Sequence, residues 1–237
     1  HEPDLTFAAG RKISFGHDPR AGRRNSPSII MSAFHGKQFW DGRADSLEVQ
    51  ALHPIVDPVE MAFTLEEMLE RINHSDSYQT EFNAVFGSST IQAEDIGQAL
   101  AAYQRSLATL ASRTKYDRFL RGQHQRLTDQ QIHGLHLFRT KARCMNCHFG
   151  VSLSDNQFHN LGLTYYQRKY HDAGRYEVTG DPADMGSFKT PSLRLVSRTG
   201  PWFHNGLFPS LRGVLNMYNA GMPRPKPKAE QLHDPLY

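Results

Sequence analysis

Two cysteines and a histidine stand close together in this sequence, as Cys144, Cys147 and His148. The spacing C-x-x-C-H is the attachment signal of a c-type haem, because two thiols reach the two vinyl groups of one porphyrin while the adjacent histidine reaches the iron. A thioredoxin-like redox pair would need a βαβ pattern around it, and a zinc site would need a second C-x-x-C. Neither is present, so the motif predicts a covalent haem with His148 as its axial ligand. It also predicts export, since such haems are normally attached outside the cytoplasm.

The composition is that of a folded, soluble protein. The chain has 237 residues, enough for two small domains, of which 38% are hydrophobic and 22% charged, so general disorder is excluded. The net charge of +3 does not suggest a nucleic-acid binder. The sequence contains no run of 18 apolar residues, so no transmembrane segment is predicted. The first ten residues lack the pattern of a signal peptide, so we expect any leader to lie upstream or to have been removed.

Most of the regular structure predicted from the sequence is helical. Thr64 to Glu67 form a capping box that opens a helix ending near Asn73, and Thr128 caps another that leads into the cysteine motif. Apolar spacing predicts two more helices, at 93–110 and 211–219. The segments 1–40 and 150–206 show no strand alternation, and loops of this length commonly wrap around a ligand. Residues 223–228 are predicted to form a solvated tail. The predicted fold class is all-α, with long loops around haem.

Several further segments resemble, in the same order, the bacterial di-haem cytochrome c peroxidase and MauG superfamily. They are 24–28 (Arg-Asn-Ser-Pro-Ser), 39–44 (Phe-Trp-Asp-Gly-Arg-Ala), 54–55 (Pro-Ile), 58–61 (Pro-Val-Glu-Met), 180–184 (Gly-Asp-Pro-Ala-Asp) and 188–194 (Phe-Lys-Thr-Pro-Ser-Leu-Arg). The resemblance implies two covalent c-type haems in two cytochrome c-like helical domains. Residues 1–112 would form the N-terminal, peroxide-reacting domain, and residues 113–237 the C-terminal, electron-transfer domain.

The sequence contains only the second of the two haem attachment motifs of that family. Its opening residues, His1-Glu2-Pro3, match those that follow the first C-x-x-C in the family, which implies that His1 is a proximal ligand and that its cysteines lie just upstream. His17 follows sixteen residues later, eight before Asn25, and matches the distal histidine of some members. The alternative is that His1 is a solvated terminal residue of a protein with one haem.

The resemblance also implies roles for residues that would otherwise be read as structural. Glu60 matches the distal-pocket glutamate that moves protons during O–O cleavage, although alone it would be a surface residue before a helix. Gln50 matches a polar pocket residue, and Trp40 matches the tryptophan between the two haems. Asn25, with the backbone carbonyls of Thr199 and Pro201, matches an inter-domain Ca²⁺ site built from oxygen ligands.

The sixth ligand of the second haem separates two branches of the family. The ligand position falls seventeen residues after Pro201, at Tyr218. Respiratory peroxidases place a methionine there, whose thioether raises the reduction potential, whereas MauG-like enzymes place a tyrosine, whose oxygen stabilises oxidised iron. A shift of one residue would make Met217 the ligand instead.

These residues lead to three hypotheses about function. The first is a periplasmic, MauG-like peroxidase, in which hydrogen peroxide oxidises the di-haem centre and the centre then oxidises an external protein substrate. The second is a cytochrome c peroxidase that reduces H₂O₂ with electrons from a small redox protein, and His17 favours it because a distal histidine suits a resting form opened by reduction. The third is a non-catalytic electron-transfer cytochrome, which would not need Glu60.

Overall fold

The computed structural model describes residues 1–223 and Asp234, and within them regular structure is mainly helical. The predicted tail therefore lies outside the described residues from 224 onward. Eight α-helices are present in this part of the chain: α1 Leu47–Val56, α2 Leu65–Asn73, α3 Asp76–Phe86, α4 Ala93–Ser106, α5 Lys115–Leu120, α6 Asp129–Arg139, α7 Tyr176–Thr179 and α8 Leu211–Asn219. Among them, no helix is both long and apolar enough to cross a bilayer.

The predicted helices are present, with one difference at an end. The bounds of α2 and α8 are as predicted, and Thr128 caps α6 by accepting a hydrogen bond from the amide of Gln131. The helix predicted over 93–110 ends at Ser106 and continues as a 3₁₀ helix, Leu107–Arg113. The tighter 3₁₀ winding keeps the chain helical while it turns towards α5.

Two short strands correct the expectation of a strand-free segment between 150 and 206. Strand β1, Phe158–Asn160, pairs antiparallel with strand β2, Ser187–Lys189, and Phe158 faces Lys189. Three residues are too few for an alternating pattern to be recognised in a sequence, which is why this pair was missed. Every residue of β2 is buried, so the pair forms part of the interior.

The largest apolar core lies in the first half of the chain. Ile55 of α1, Met68 of α2 and Ile96 of α4 pack with Ile91, and α1 makes most of its helix contacts with α4. Gly97 lets the two helices approach, because a Cβ there would lie 3.0 Å from the carbonyl oxygen of Glu48. This packing fixes the position of α1, which carries Gln50 and ends close to Glu60.

A buried ionic cluster joins the first half of the chain to the second. The Arg24 guanidinium, 11% exposed, donates to Asp41 at 2.5 Å and to both carboxylate oxygens of Asp172 at 2.7 Å. These contacts outweigh desolvation, and the pKa of Asp172 is lowered to about 2. Since Asp41 and Asp172 are 131 positions apart, the cluster fixes how the two halves meet.

We expect Arg24→Met to lower the free energy of unfolding of the holoprotein by about 3 kcal/mol, because it removes the buried partner that Asp41 and Asp172 share and leaves each carboxylate with one more exposed arginine, Arg43 or Arg23. Arg23→Met is the matched control: its guanidinium is more than half exposed, so its loss should cost about 0–1 kcal/mol. The lowered pKa of Asp172 also contributes about 2 kcal/mol above pH 4 that is lost as the pH falls from about 4 to about 2. Denaturant unfolding between pH 2 and 7 measures both effects, and equal losses in the two variants would contradict the prediction.

Candidate functional site: a duplicated haem-binding framework

The cysteine motif lies at the end of α6, where the chain makes a tight 3₁₀ turn. Cys144 to Asn146 form this turn, and both cysteines are free thiols. The ring of His148 is held by a hydrogen bond of 2.9 Å between its Nδ1 and the carbonyl oxygen of Leu153. A histidine whose Nδ1–H is fixed in this way presents a neutral Nε2 to a metal. Burial lowers the pKa of His148, which keeps the ring neutral as a ligand must be.

His1 has the same local geometry as His148. Its Nδ1 lies 3.0 Å from the carbonyl oxygen of Phe7, as that of His148 lies 2.9 Å from Leu153. Phe7 and Leu153 both have positive φ, 54° and 53°, so the two acceptor carbonyls come from matching turns. A solvated terminal histidine would have no reason to share this arrangement, which favours the interpretation of His1 as a proximal ligand.

A serine supports each of these histidine loops from the same side. Ser28 donates its hydroxyl to the carbonyl oxygen of Thr6 at 2.6 Å, and Ser192 donates to that of Ser152, also at 2.6 Å. Thr6 and Ser152 each come one residue before the carbonyl that holds the histidine. The two serines lie in equivalent segments of sequence, Asn-Ser-Pro-Ser at 25–28 and Lys-Thr-Pro-Ser at 189–192.

The duplication continues through the helix that follows each support. Phe39 and Phe203 both have positive φ, 64° and 65°, and a bridge closes each of these turns. Ser46 then caps α1 and Ser210 caps α8, each accepting from the amide three residues on. From Asn25 and Lys189 onward, equivalent positions are 164 residues apart, whereas the two histidine loops are 146 to 147 residues apart. On this register Tyr218 of α8 corresponds to Pro54 of α1.

The two halves also exchange backbone hydrogen bonds as a two-fold arrangement would. The amide of Asn25 donates to the carbonyl of His204 at 2.6 Å, and the equivalent amide of Lys189 donates to the carbonyl of Trp40 at 2.8 Å. Trp40 and His204 are equivalent positions, and their rings meet edge to face at 6.4 Å. Trp40 therefore lies at the junction of the two halves, where its indole Nε1 donates to the carbonyl of Asn25 at 2.8 Å.

The residues around the cysteine motif fit a porphyrin. Neither α6 nor α8 has a buried residue, and apolar side chains on both helices and on the motif are exposed: Ile132, Leu137, Met145 and Leu215. Exposed apolar surface of this kind needs a cover, and the face of a haem provides one. Two thiols, a fixed imidazole and this apolar surface together fit the donor set and the cradle that a c-type haem needs.

Tyr218 lies close to the haem attachment motif. Its ring centroid is 6.1 Å from that of Phe203, and it is 43% exposed. Desolvation, with smaller contributions from the nearby Cys144 and Cys147 thiols, raises the pKa of Tyr218 to about 12. Met217 is half-buried on the same helix. The phenol is thus near both thiols, and its role as a sixth ligand stays a prediction.

Glu60 and His17 are in contact within the first half of the chain. Glu60 follows the end of α1, and its carbonyl oxygen accepts a hydrogen bond of 2.7 Å from the amide of His17. Gly16 makes this contact feasible, since a Cβ there would lie 2.0 Å from the carbonyl oxygen of Val59. Partial desolvation and the charge of Asp57 raise the pKa of Glu60. A carboxyl group with a raised pKa is suited to giving and taking protons.

Gln50 is tied to a buried polar chain that sequence reasoning did not identify. The amide of Gln104 donates to Oε1 of Gln50 at 3.3 Å, and Ser32 lies 3.3 Å from the other end of the Gln104 amide. Gln104 is buried on α4, so it fixes the orientation of Gln50 on α1. The signal in the sequence was Gln104 itself, a polar residue on the buried face of α4, where apolar residues are usual.

The three predicted calcium ligands come from the same junction. Asn25 is 5% exposed, and its amide nitrogen donates to the carbonyls of Arg11 and Lys12 at 2.9 and 3.3 Å. Thr199 and Pro201 precede His204, which contacts Asn25 through its backbone. The calcium site remains a prediction.

His204 and Asn205 were also missed in the sequence, although both lie at the junction. His204 stacks on Phe188 at 3.6 Å, and burial lowers its pKa to about 4. Its Nε2 and the Nδ2 of Asn205 are buried with no partner among the described residues. Aligning Phe-Trp-Asp-Gly at 39–42 with Phe-His-Asn-Gly at 203–206 would have identified them as the counterparts of Trp40 and Asp41. A further group, Cys147, Asp155 and His159, has ligand atoms within 4.8 Å of one another, but its thiol belongs to the haem motif.

Comparison with known proteins gives a consistent result. The family model described as di-haem cytochrome c peroxidase matches residues 1–125. Cytochrome-c peroxidase IdrP1 of Pseudomonas sp. (strain SCT) is 34% identical over 259 residues, covering 98% of this chain and 68% of the relative. Methylamine utilization protein MauG of Paracoccus denitrificans (strain Pd 1222) is 34% identical over 263 residues, covering 92% of this chain and 67% of the relative.

A solved structure supports the same conclusion for the fold. A MauG-like protein associated with microbial copper homeostasis superposes with a TM-score of 0.85 at 32% identity, covering 96% of this chain and 71% of that chain. The chain spans about half to two thirds of the length of the curated relatives it matches. Those relatives are named both as cytochrome c peroxidases, which are haem oxidoreductases acting on H₂O₂, and as MauG. The chain belongs to the di-haem cytochrome c peroxidase family, whose description implies c-type haems.

Proposed function

We propose that this chain forms a MauG-like di-haem peroxidase of the periplasm, which reacts with hydrogen peroxide and oxidises an external protein substrate. The first haem would be held by residues 1–112, through His1 and two cysteines upstream of it, and the second by residues 113–237, through Cys144, Cys147 and His148. The duplicated histidine and serine framework carries this proposal, because it repeats one haem-binding geometry at both proximal histidines.

The two halves are proposed to differ at their distal sides. Tyr218 would bind the iron of the second haem, and the equivalent position in the first half is Pro54. Proline has no side-chain atom that binds iron, so peroxide could approach there. The haem, when bound, supplies the iron that reacts with peroxide and holds the oxidising equivalents.

The chain itself would supply the proton transfer and the path for electrons. Glu60 would take a proton from one oxygen of H₂O₂ and return it to the other, so that a water molecule can leave. Gln50, held by Gln104, would orient the peroxide. Trp40, at the junction of the halves, would shorten the path of electrons between the haems. Ca²⁺ bound near Asn25, Thr199 and Pro201 would stiffen this junction.

A cytochrome c peroxidase that takes electrons from a small redox protein is the second proposal. The observation that favours it is the position of His17, whose amide is bonded to the carbonyl of Glu60. Its side chain is more than half exposed, and its Nε2 lies 3.5 Å from a carboxylate oxygen of Asp18, a surface contact that would have to break before the ring could bind an iron. A resting enzyme with His17 on iron would need one electron before it reacts with peroxide.

We expect the native full-length protein to carry two covalent haems, because His1 and His148 share one proximal geometry. Mass spectrometry of the protein purified from its own periplasm measures the haem count. His148→Ala serves as a control that should remove the axial ligand of the second haem alone. One haem on a chain that includes the residues upstream of His1 would contradict the proposal and support a one-haem cytochrome.

A further inference from the structure

Positive charge is concentrated in one stretch of the chain, next to the second haem motif. Residues 113–143 contain eight lysines and arginines against two aspartates, a net charge of +6, whereas the rest of the chain carries 19 basic against 22 acidic residues, a net charge of −3. The whole-chain value of +3 conceals this asymmetry. A molecule with such a charge separation orients an approaching charged partner before contact.

Part of this charge flanks the attachment motif directly. Lys141 and Arg143 precede Cys144 and are both exposed. Asn146, between the two cysteines, is exposed as well, so this part of the motif lies at the surface of the chain. A haem attached through these cysteines would therefore have two positive charges close to its attachment site.

Helix α5 brings two more positive charges to the same region. Arg194 donates to Asp117 of α5 at 2.6 Å and, through its Nε, to the carbonyl oxygen of Val151 at 2.7 Å. Val151 follows His148 by three residues, so this bridge fixes α5 against the haem loop. Asp117 points inward, and Lys115 and Arg118 lie on the other side of the helix, where both are exposed.

These charges have little to neutralise them within the chain. We define the basic rim as Lys115, Arg118, Lys141 and Arg143. Within residues 1–223 none of the four forms an ion pair. Residues 113–143 contain two aspartates. Asp117 forms an ion pair with Arg194, so only the charge of Asp129 remains in this stretch to offset the basic rim. The four positive charges of the basic rim thus repel one another, and an anionic surface bound there would reduce that repulsion.

We propose that the basic rim is the docking surface for an acidic protein, which exchanges electrons with the second haem. This inference rests on the proposed function and specifies its partner: a protein whose own redox group, or oxidisable side chain, is surrounded by carboxylates. A protein fits better than an anionic membrane, because the remainder of the chain is net negative and a flat anionic surface would repel it. The complementary charges steer encounter more than they add affinity.

Electron transfer between the holoprotein and a probe tests the surface without using peroxide. The probe is an oxidised cupredoxin of the plastocyanin type with an acidic docking face, mixed in a stopped-flow instrument with dithionite-reduced holoprotein. One electron passes from ferrous haem to Cu(II), giving ferric haem and Cu(I). We expect the second-order rate constant to fall about tenfold or more between roughly 10 and 200 mM salt.

Charge reversal locates the effect on the rim. The variant carrying Lys115→Glu, Arg118→Glu and Lys141→Glu should react with the cupredoxin about tenfold or more slowly at low salt, and should lose the salt dependence. Arg71→Glu on α2 is the matched control, because Arg71 is exposed and lies outside the rim. It should stay within about twofold of the wild type. The absorbance of covalent haem confirms that each variant is loaded.

Three outcomes would overturn the docking proposal. The first is a rate constant for the acidic cupredoxin that does not depend on salt. The second is a triple variant that reacts as fast as Arg71→Glu. The third is a basic cytochrome c that reacts faster than the cupredoxin at low salt. Phosphatidylglycerol vesicles give the membrane alternative its own test: binding that the triple variant loses, with an unchanged cupredoxin rate, would assign the rim to a lipid surface. Peroxide turnover with a neutral hydroquinone, measured separately, reports on the proposed function alone.

Discussion

Replacing Glu60 by glutamine is expected to slow the reaction of the ferric holoprotein with H₂O₂ by about 10²-fold or more, with haem content unchanged. Glutamine keeps the size and the polarity of the side chain but can neither accept nor return a proton. The raised pKa of Glu60, caused by partial desolvation and by Asp57, brings its proton affinity closer to what the transfer needs. Stopped-flow mixing with H₂O₂ measures the rate.

Glu66→Gln is the matched control for this substitution. Glu66 is exposed in the first turn of α2, six residues further along the chain, and faces no proposed substrate. It should react with peroxide at the wild-type rate. If Glu60→Gln also reacts at that rate, Glu60 is a structural residue at the end of α1, and the proton must be moved by another group.

The parts of the fold that the sequence predicted are those with strong local signals. The capping residues Thr64 and Thr128 gave two helix starts, because each accepts a hydrogen bond from the amide three residues on; Thr128 has the full reciprocal box, while the second bond at Thr64 joins its hydroxyl to the Glu67 carboxylate. Helix α1 was missed although Ser46 caps it, since Pro54 lies inside it and reads as a break. The Pro54 ring is accommodated in the last turn, where the chain leaves the helix for Glu60.

The sequence supplied candidate site residues but not the framework of bonds and turns around them. The C-x-x-C-H spacing predicts a haem attachment site directly, because its residues are adjacent in the sequence. The supporting hydrogen bonds, in contrast, connect Ser28 and Ser192 to acceptors 22 and 40 positions away. Such long-range bonds leave no periodic pattern. The repeat is visible in the structure because turns and bonds are preserved where side chains have changed, as from Trp40 to His204. Only an alignment of the sequence with itself, guided by the turns, could have revealed it.

The identity of the sixth ligand is expected to decide between the two branches of the family. If Tyr218 binds the second iron, the fully ferric protein should react with H₂O₂ without prior reduction, and its spectrum should lack a thioether-to-iron charge-transfer band. Tyr218→Phe should leave the haem attached through Cys144, Cys147 and His148. It should raise the reduction potential of that haem by on the order of 0.1 V, because an oxygen ligand that stabilises oxidised iron has been removed.

The competing ligand is one residue away, so the matching variant is Met217→Leu, which removes the thioether and keeps the volume of the side chain. It should leave the potential and the spectrum of the wild type unchanged. The structure favours the phenol, since Tyr218 lies near both cysteine thiols and packs beside Phe203, at the turn that repeats the one before α1. A charge-transfer band in the wild type that disappears in Met217→Leu would make Met217 the ligand. A thioether on that iron raises its potential and suits electron entry from a small redox protein, so that result would favour the cytochrome c peroxidase proposal instead.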